Sequence, residues 1–206
     1  MLFFIIPALT LGLSAGFTPG PLSTLTIVQT LKHNIKEGIK VAISPLITDA
    51  PIVALSILVL SKLENFNFLL GIISLFGAFF LAYLGLENIK TTKFHMLDNV
   101  SQPKSLTKGV LANLLSPYPY VFWVAIGGPI TLKALEVSIF DAIVFIMTFY
   151  LTMIVSKIVI AMIVGKSKNF LNSKIYAWLM KTLGVVLIVF ALMFFIQALE
   201  YFAILI

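Results

Sequence analysis

The sequence predicts an all-α polytopic membrane protein, with six transmembrane helices arranged as two inverted three-helix repeats. Three observations carry that prediction. Residues are 60% hydrophobic and only 11% charged, with a mean hydropathy of +1.10, which excludes an ordinary soluble domain. Uncharged stretches of membrane length follow one another along the chain. The lysines between them alternate between crowded and sparse loops.

A spanning helix needs ~20 predominantly apolar residues, and the chain offers six such segments in order. Span 1 covers about residues 3–31; Met1 to Leu31 carries no charge. Its start has no basic region and its apolar run is too long for a signal peptide, so it reads as a retained span. It contains Thr18-Pro19-Gly20-Pro21. Span 2, about 40–61, carries Asp49 about ten residues in. Span 3, about 66–87, has Gly71, Gly77, Ala78 and Gly85, small residues suited to close helix packing. Span 4, about 108–131, contains Ser116-Pro117-Tyr118-Pro119. Span 5, about 139–164, carries Lys157 in its interior, and span 6 covers about 176–202. Trp123, Tyr176 and Trp178 are expected near the membrane interfaces.

All fourteen basic residues are lysines. Lys32, Lys36 and Lys40 follow span 1; Lys90, Lys93, Lys104 and Lys108 follow span 3; Lys166, Lys168, Lys174 and Lys181 follow span 5. The second and fourth loops have one each, Lys62 and Lys133. The positive-inside rule then puts the odd loops in the cytoplasm and both termini outside. The same bias explains the basic balance, pI near 9.5, without nucleic acid.

The chain reads as a single membrane domain, 1–206. A polar cytoplasmic linker at about 88–107 separates repeat one (about 1–87) from repeat two (about 108–206). Three spans per half force opposite orientations. The first span of each half carries a Pro-x-Pro step and the second a lone charge. Inverted repeats with interrupted helices in matching positions are a recurrent transporter plan, with the site near the midplane.

Cysteine is absent, which removes disulfides, thiolate metal sites and thiol redox relays. The sequence holds no G-x-S-x-G, H-E-x-x-H or P-loop motif, and His33 and His95 sit apart in loops. No enzyme, cofactor or metal site is expected.

The candidate site residues come from the interruptions and the buried charges. Pro19, Pro21, Pro117 and Pro119 each remove a backbone donor and disturb the preceding turn, so helices 1 and 4 are expected to break there. Backbone freed at membrane depth is tolerated where it is buried in protein or lines a watery cavity. Helix ends exposed by such breaks suit both charges of a zwitterion: N–H groups for a carboxylate, carbonyls for an ammonium or cation. Simple proline kinks are the plainer alternative. Asn113, Ser116 and Tyr118 precede or lie within the second break, and Thr18, Ser23, Thr24 and Thr26 flank the first; their side chains could bond either substrate or freed backbone, while Gly20 lies within the first step.

Asp49 in a span costs ~2.5–3.5 kcal/mol at a helix centre. It reads as a proton-coupling or cation-binding carboxylate, or as a cap for backbone that Pro45 and Pro51 disturb. Lys157 reads as a buried partner of Asp49 or of a substrate carboxylate, or as a lysine snorkelling to the interface.

These residues resemble the LysE/RhtB amino-acid exporters. Phe17-Thr-Pro-Gly-Pro21 is similar to that family's signature, as are Lys36-Glu-Gly38 leading to Asp49 and Gly77-Ala-Phe-Phe-Leu-Ala-Tyr-Leu-Gly85. Lys108-Gly109 and Leu111-Ala-Asn-Leu-Leu-Ser-Pro117 resemble its Gly…Asn-Pro-Lys region, with Ser116-Pro117-Tyr118 here in place of Asn-Pro-Lys. The resemblance implies an inner-membrane exporter of amino acids or related small zwitterions. With the residues above, it gives a proton-coupled secondary transporter working by alternating access around the two broken helices. Its partners would be the amino-acid substrate, the coupling proton and the lipid bilayer, with a homodimer also compatible. The alternatives are a divalent cation exporter of the same superfamily and a non-transport membrane assembly subunit.

Overall fold

The computed structural model describes residues 2–59, 66–90, 102–167 and 173–203. The end of predicted span 2 with Lys62, most of the 88–107 linker with Lys93 and His95, and Lys168 lie outside the described residues. All regular secondary structure among the described residues is helical. Four helices are long and apolar enough to cross a membrane: Phe68–Ile89, Pro117–Val137, Ile139–Ser167 and Lys174–Phe202. A fifth span results if α1 (Leu2–Phe17) and α2 (Pro21–Lys32), bent by 56° at their junction, are taken together. The chain is therefore a multi-pass helical membrane protein.

The bend follows from proline chemistry. In a continuous helix Pro19 would bond the carbonyl of Ala15, and Pro21 that of Phe17; neither has an N–H to give. Thr18 closes α1 with an N–H to Ser14, 2.9 Å, and α2 restarts with Pro21 in its first turn, a position where a missing donor costs nothing.

Predicted span 2 differs from expectation at its start. The chain forms a short amphipathic helix α3 (Ile35–Ala42), turns at Ile43–Ser44, and begins α4 (Pro45–Val59). Pro45 has no N–H for the Val41 carbonyl, and the Ser44 hydroxyl donates to that carbonyl instead, 2.8 Å. Asn34 caps α3 by accepting from the Glu37 amide, 3.2 Å. Predicted span 4 is likewise segmented. It runs as α6 (Ser105–Leu114), α7 (Pro117–Phe122), a five-residue π turn at Trp123–Gly127, and α8 (Gly128–Val137).

The most extensive helix pairings join the two sequence halves. α5 (Phe66–Ile89) runs along α10 (Ser173–Ala203), and α1 lies on α9 (Ile139–Ser167), while α4 packs against α6, α7 and the π turn. Gly85 and Gly184 let α5 and α10 touch: a Cβ on either would sit 2.7–2.8 Å from the other's carbonyl oxygen. Gly77 of α5 faces the break between α6 and α7, where a Cβ would fall on the Leu115 carbonyl. That carbonyl has lost the N–H of Pro119, so a bare glycine is what leaves it room. Gly77→Val is expected to destabilise the fold by ~1–3 kcal/mol, read as an earlier thermal transition of the purified protein in detergent.

Trp123, expected near an interface, packs inside the helical bundle. It is buried, 1% exposed, with its ring stacked on Tyr150 at 5.9 Å and set edge-on to Phe149 at 5.8 Å. The α6–α7 break redirects this segment inward, which a reading by position along the span could not register. Tyr176 is also buried, against Val28, Leu31 and Met180, whereas Trp178 is exposed.

Candidate functional site

The breaks at 18–21 and 116–119 meet across a cavity of about 460 Å³. Thr18, Pro19, Gly20 and Pro21 line one wall. Asp49, Asn113, Ser116 and Pro119 line another, and Lys157 completes it. Pro117 does not reach the cavity; it is buried at the start of α7.

Each lone charge sits at the break in the opposite half. Lys157 on α9 is 4% exposed, so it is buried and does not snorkel. Its ammonium donates to the carbonyls of Ala15 and Gly16, both 3.3 Å, and to Ser23 Oγ, 3.0 Å. Ala15 is the residue whose carbonyl Pro19 cannot serve. A cation there also meets the negative end of the α1 dipole. The Ser23 hydroxyl passes the link on by donating to the Thr18 carbonyl, 3.1 Å. In the sequence alone, pairing of Lys157 with Asp49 was an open alternative; the described ion pairs do not include it.

Asp49 on α4 is 5% exposed. Asn113, in the last turn of α6, donates to Asp49 Oδ1 and to Thr48 Oγ1, the latter at 2.6 Å. Thr48 Oγ1 lies 3.0 Å from the same carboxylate oxygen. Tyr150 of α9, itself buried, brings its hydroxyl up beside Asp49.

The two breaks are finished differently. At the second, Ser116 caps α7 by accepting from the Tyr118 amide, 3.4 Å, and the Tyr120 hydroxyl donates to the Leu114 carbonyl, 3.0 Å. At the first, Gly20 is the N-cap of α2 and supplies no side-chain cap; the space beside its Cα is open for 4 Å. Helix geometry leaves the N–H groups of Leu22 and Ser23 without intrahelical acceptors. The cavity thus presents an uncapped helix N-terminus and an ammonium near one break, and a carboxylate held by the other.

Sequence reasoning missed much of the rest of the wall. Phe149, Met153 and Lys157 lie at successive i, i+4 positions on α9, a spacing legible in the sequence, and all three line the cavity. Phe122 and Met193 gave no such signal, because only the folded packing turns them inward.

At the end of the bundle where α2 finishes and α6 begins, polar contacts close the structure. Glu87 of α5 accepts from Lys32 at 2.9 Å and from Lys108 at 3.4 Å, while Ser105 donates to the buried Gln29 carbonyl oxygen at 3.0 Å. Between this end and the cavity, α2 carries Leu25, Thr26 and Val28, all buried.

The model of the LysE type translocator family matches residues 13–198. The chain is 24% identical over 198 residues to a Bacillus subtilis (strain 168) protein named "Putative amino acid efflux protein YcgF", an alignment covering 93% of this chain and 95% of that relative. No solved structure matches. The match takes in both broken helices and both cavity charges, and on that evidence the chain belongs to the LysE type translocator family of membrane transporters.

Proposed function

We propose that this translocator exports amino acids or related small zwitterions across the cell membrane in exchange for protons. One observation carries the reading: a single cavity places a carboxylate on one wall, and an ammonium with an uncapped helix N-terminus on the other. The substrate carboxylate would lie at the Leu22 and Ser23 amides, under the field of Lys157. The substrate ammonium would lie at Asp49. A proton and that ammonium compete for the same carboxylate, so occupancy by one excludes the other. That competition is a sufficient basis for exchange.

The cross-half pairing of helices, span 1 with span 5 and span 4 with span 2, is what two inverted repeats about a pseudo-two-fold would produce. With the lysine-rich end taken as cytoplasmic, the Lys32–Glu87–Lys108 and Gln29–Ser105 contacts close the cytoplasmic side. Alternating access would then require these contacts to open. A divalent cation exporter is less well served, since the described cavity wall offers one carboxylate and hard cations want several oxygen ligands.

Glu87→Gln tests the gate. Partly exposed ion pairs contribute ~0–1 kcal/mol each, so the fold should survive while the closed state loses about that much. The natural absence of cysteine permits a single Thr26→Cys reporter behind the gate. Membrane-impermeant maleimide applied from the cytoplasmic side should label it severalfold faster when Glu87→Gln is added. Equal labelling rates would rule the gate out.

Direct measurement of export in reconstituted vesicles tests the proposal as a whole. Labelled amino acids should exchange across the bilayer, and an imposed proton gradient should drive them uphill. Absence of any amino-acid flux by protein that elutes as a folded species would overturn it.

A further inference from the structure

We infer that the substrate is a large neutral amino acid with an apolar side chain; this rests on the zwitterion reading above and narrows it. On that reading the two charges in the cavity wall are taken up by the backbone-like end of the substrate, Asp49 by the α-ammonium and the field of Lys157 by the α-carboxylate. Among the described residues, the wall holds no further charged side chain. A lysine-like or glutamate-like side chain would therefore be buried with its charge unpaired, which is costly away from water.

Beside the polar side chains of Thr18, Asn113 and Ser116, much of the remaining wall is aromatic and thioether surface. Phe122 stacks on Phe149 in the cavity wall, ring centroids 4.9 Å apart and planes 12° apart. Met153 sits one turn along α9 from Phe149, between that residue and Lys157. Phe190 and Met193 of α10 also line the cavity. Small-molecule sites commonly enclose ~300–1,000 Å³, and about 460 Å³ here exceeds the need of a glycine or serine. Filling it with an apolar side chain removes both partners' surfaces from water. Flexible methionines adapt to more than one side-chain shape, so leucine, methionine and phenylalanine are all expected to fit.

The test is counterflow into proteoliposomes of the purified full-length protein, with labelled leucine, phenylalanine, glycine, serine, lysine and glutamate each followed separately. Leucine and phenylalanine should exchange at concentrations at least tenfold below those needed for the others. Met193→Ser should lower the leucine-over-serine preference about tenfold, the low end of what a lost apolar contact contributes to discrimination, and Met193→Leu should restore it. The preference is a ratio, so a variant that folds in lower yield still reports it. Exchange of glycine, lysine or glutamate as effective as that of leucine overturns this inference and leaves the zwitterion reading standing. No exchange of any of the six by folded protein overturns both.

Discussion

Asp49→Asn is expected to abolish proton-driven export while leaving the protein folded in the membrane. Asparagine is nearly the same size and can keep contacts to Thr48 and Asn113, so the α4–α6 junction should hold. What it removes is the negative charge for which proton and substrate ammonium compete. Uphill export under a proton gradient should fall by at least 100-fold, since loss of a hydrogen-bonded charge partner costs ~3–5 kcal/mol. Residual downhill exchange should persist with weakened affinity and lose its dependence on pH. Wild-type uphill flux in this variant would eliminate Asp49 as the coupling group. It would leave the carboxylate as a structural partner of Asn113.

Lys157→Met is expected to damage both stability and transport, and a companion variant separates the two. The ammonium supplies donors for the Ala15 and Gly16 carbonyls at the first break. A buried carbonyl left without a donor costs ~1–3 kcal/mol, so Lys157→Met should unfold earlier in a detergent melt. Lys157→Gln restores an N–H donor without the charge. It should recover much of the stability, yet still raise the substrate concentration for half-maximal export at least tenfold. If Lys157→Gln transports with wild-type affinity, the lysine caps α1 and takes no part in substrate binding.

Much of this site could be read from residue types. Proline has no N–H, so the paired prolines Pro19/Pro21 and Pro117/Pro119 marked where breaks would fall, although the single Pro7 and Pro51 sit inside continuous helices. Burying a charge in hydrocarbon is costly, so Asp49 was expected to face the interior, whereas Lys157 could equally have snorkelled to the interface until the structure placed it inside. The start of α4 was equally a proline effect, at Pro45, but the apolar run across it hid the break. That Trp123 packs inside the bundle against Phe149 and Tyr150 depends on the direction of the chain after α6, and hydropathy carries no such direction.

Composition and local chemistry by themselves determined that the chain crosses the membrane as helices, that those carrying the two Pro-x-Pro steps are interrupted, and that one charge lies inside the second span of each half. Tertiary structure decided the partners. It put Lys157 at the break in the first half and Asp49 at the break in the second. It also turned Phe122, Phe149 and Met193 toward the space between them. The physical reason is one of range. A missing N–H or an unsolvated charge acts within its own turn of helix, wherever that helix lies. Which carbonyl an ammonium caps, 142 residues away along the chain, is set by how α1 and α9 pack, and that contact exists only once the halves have come together.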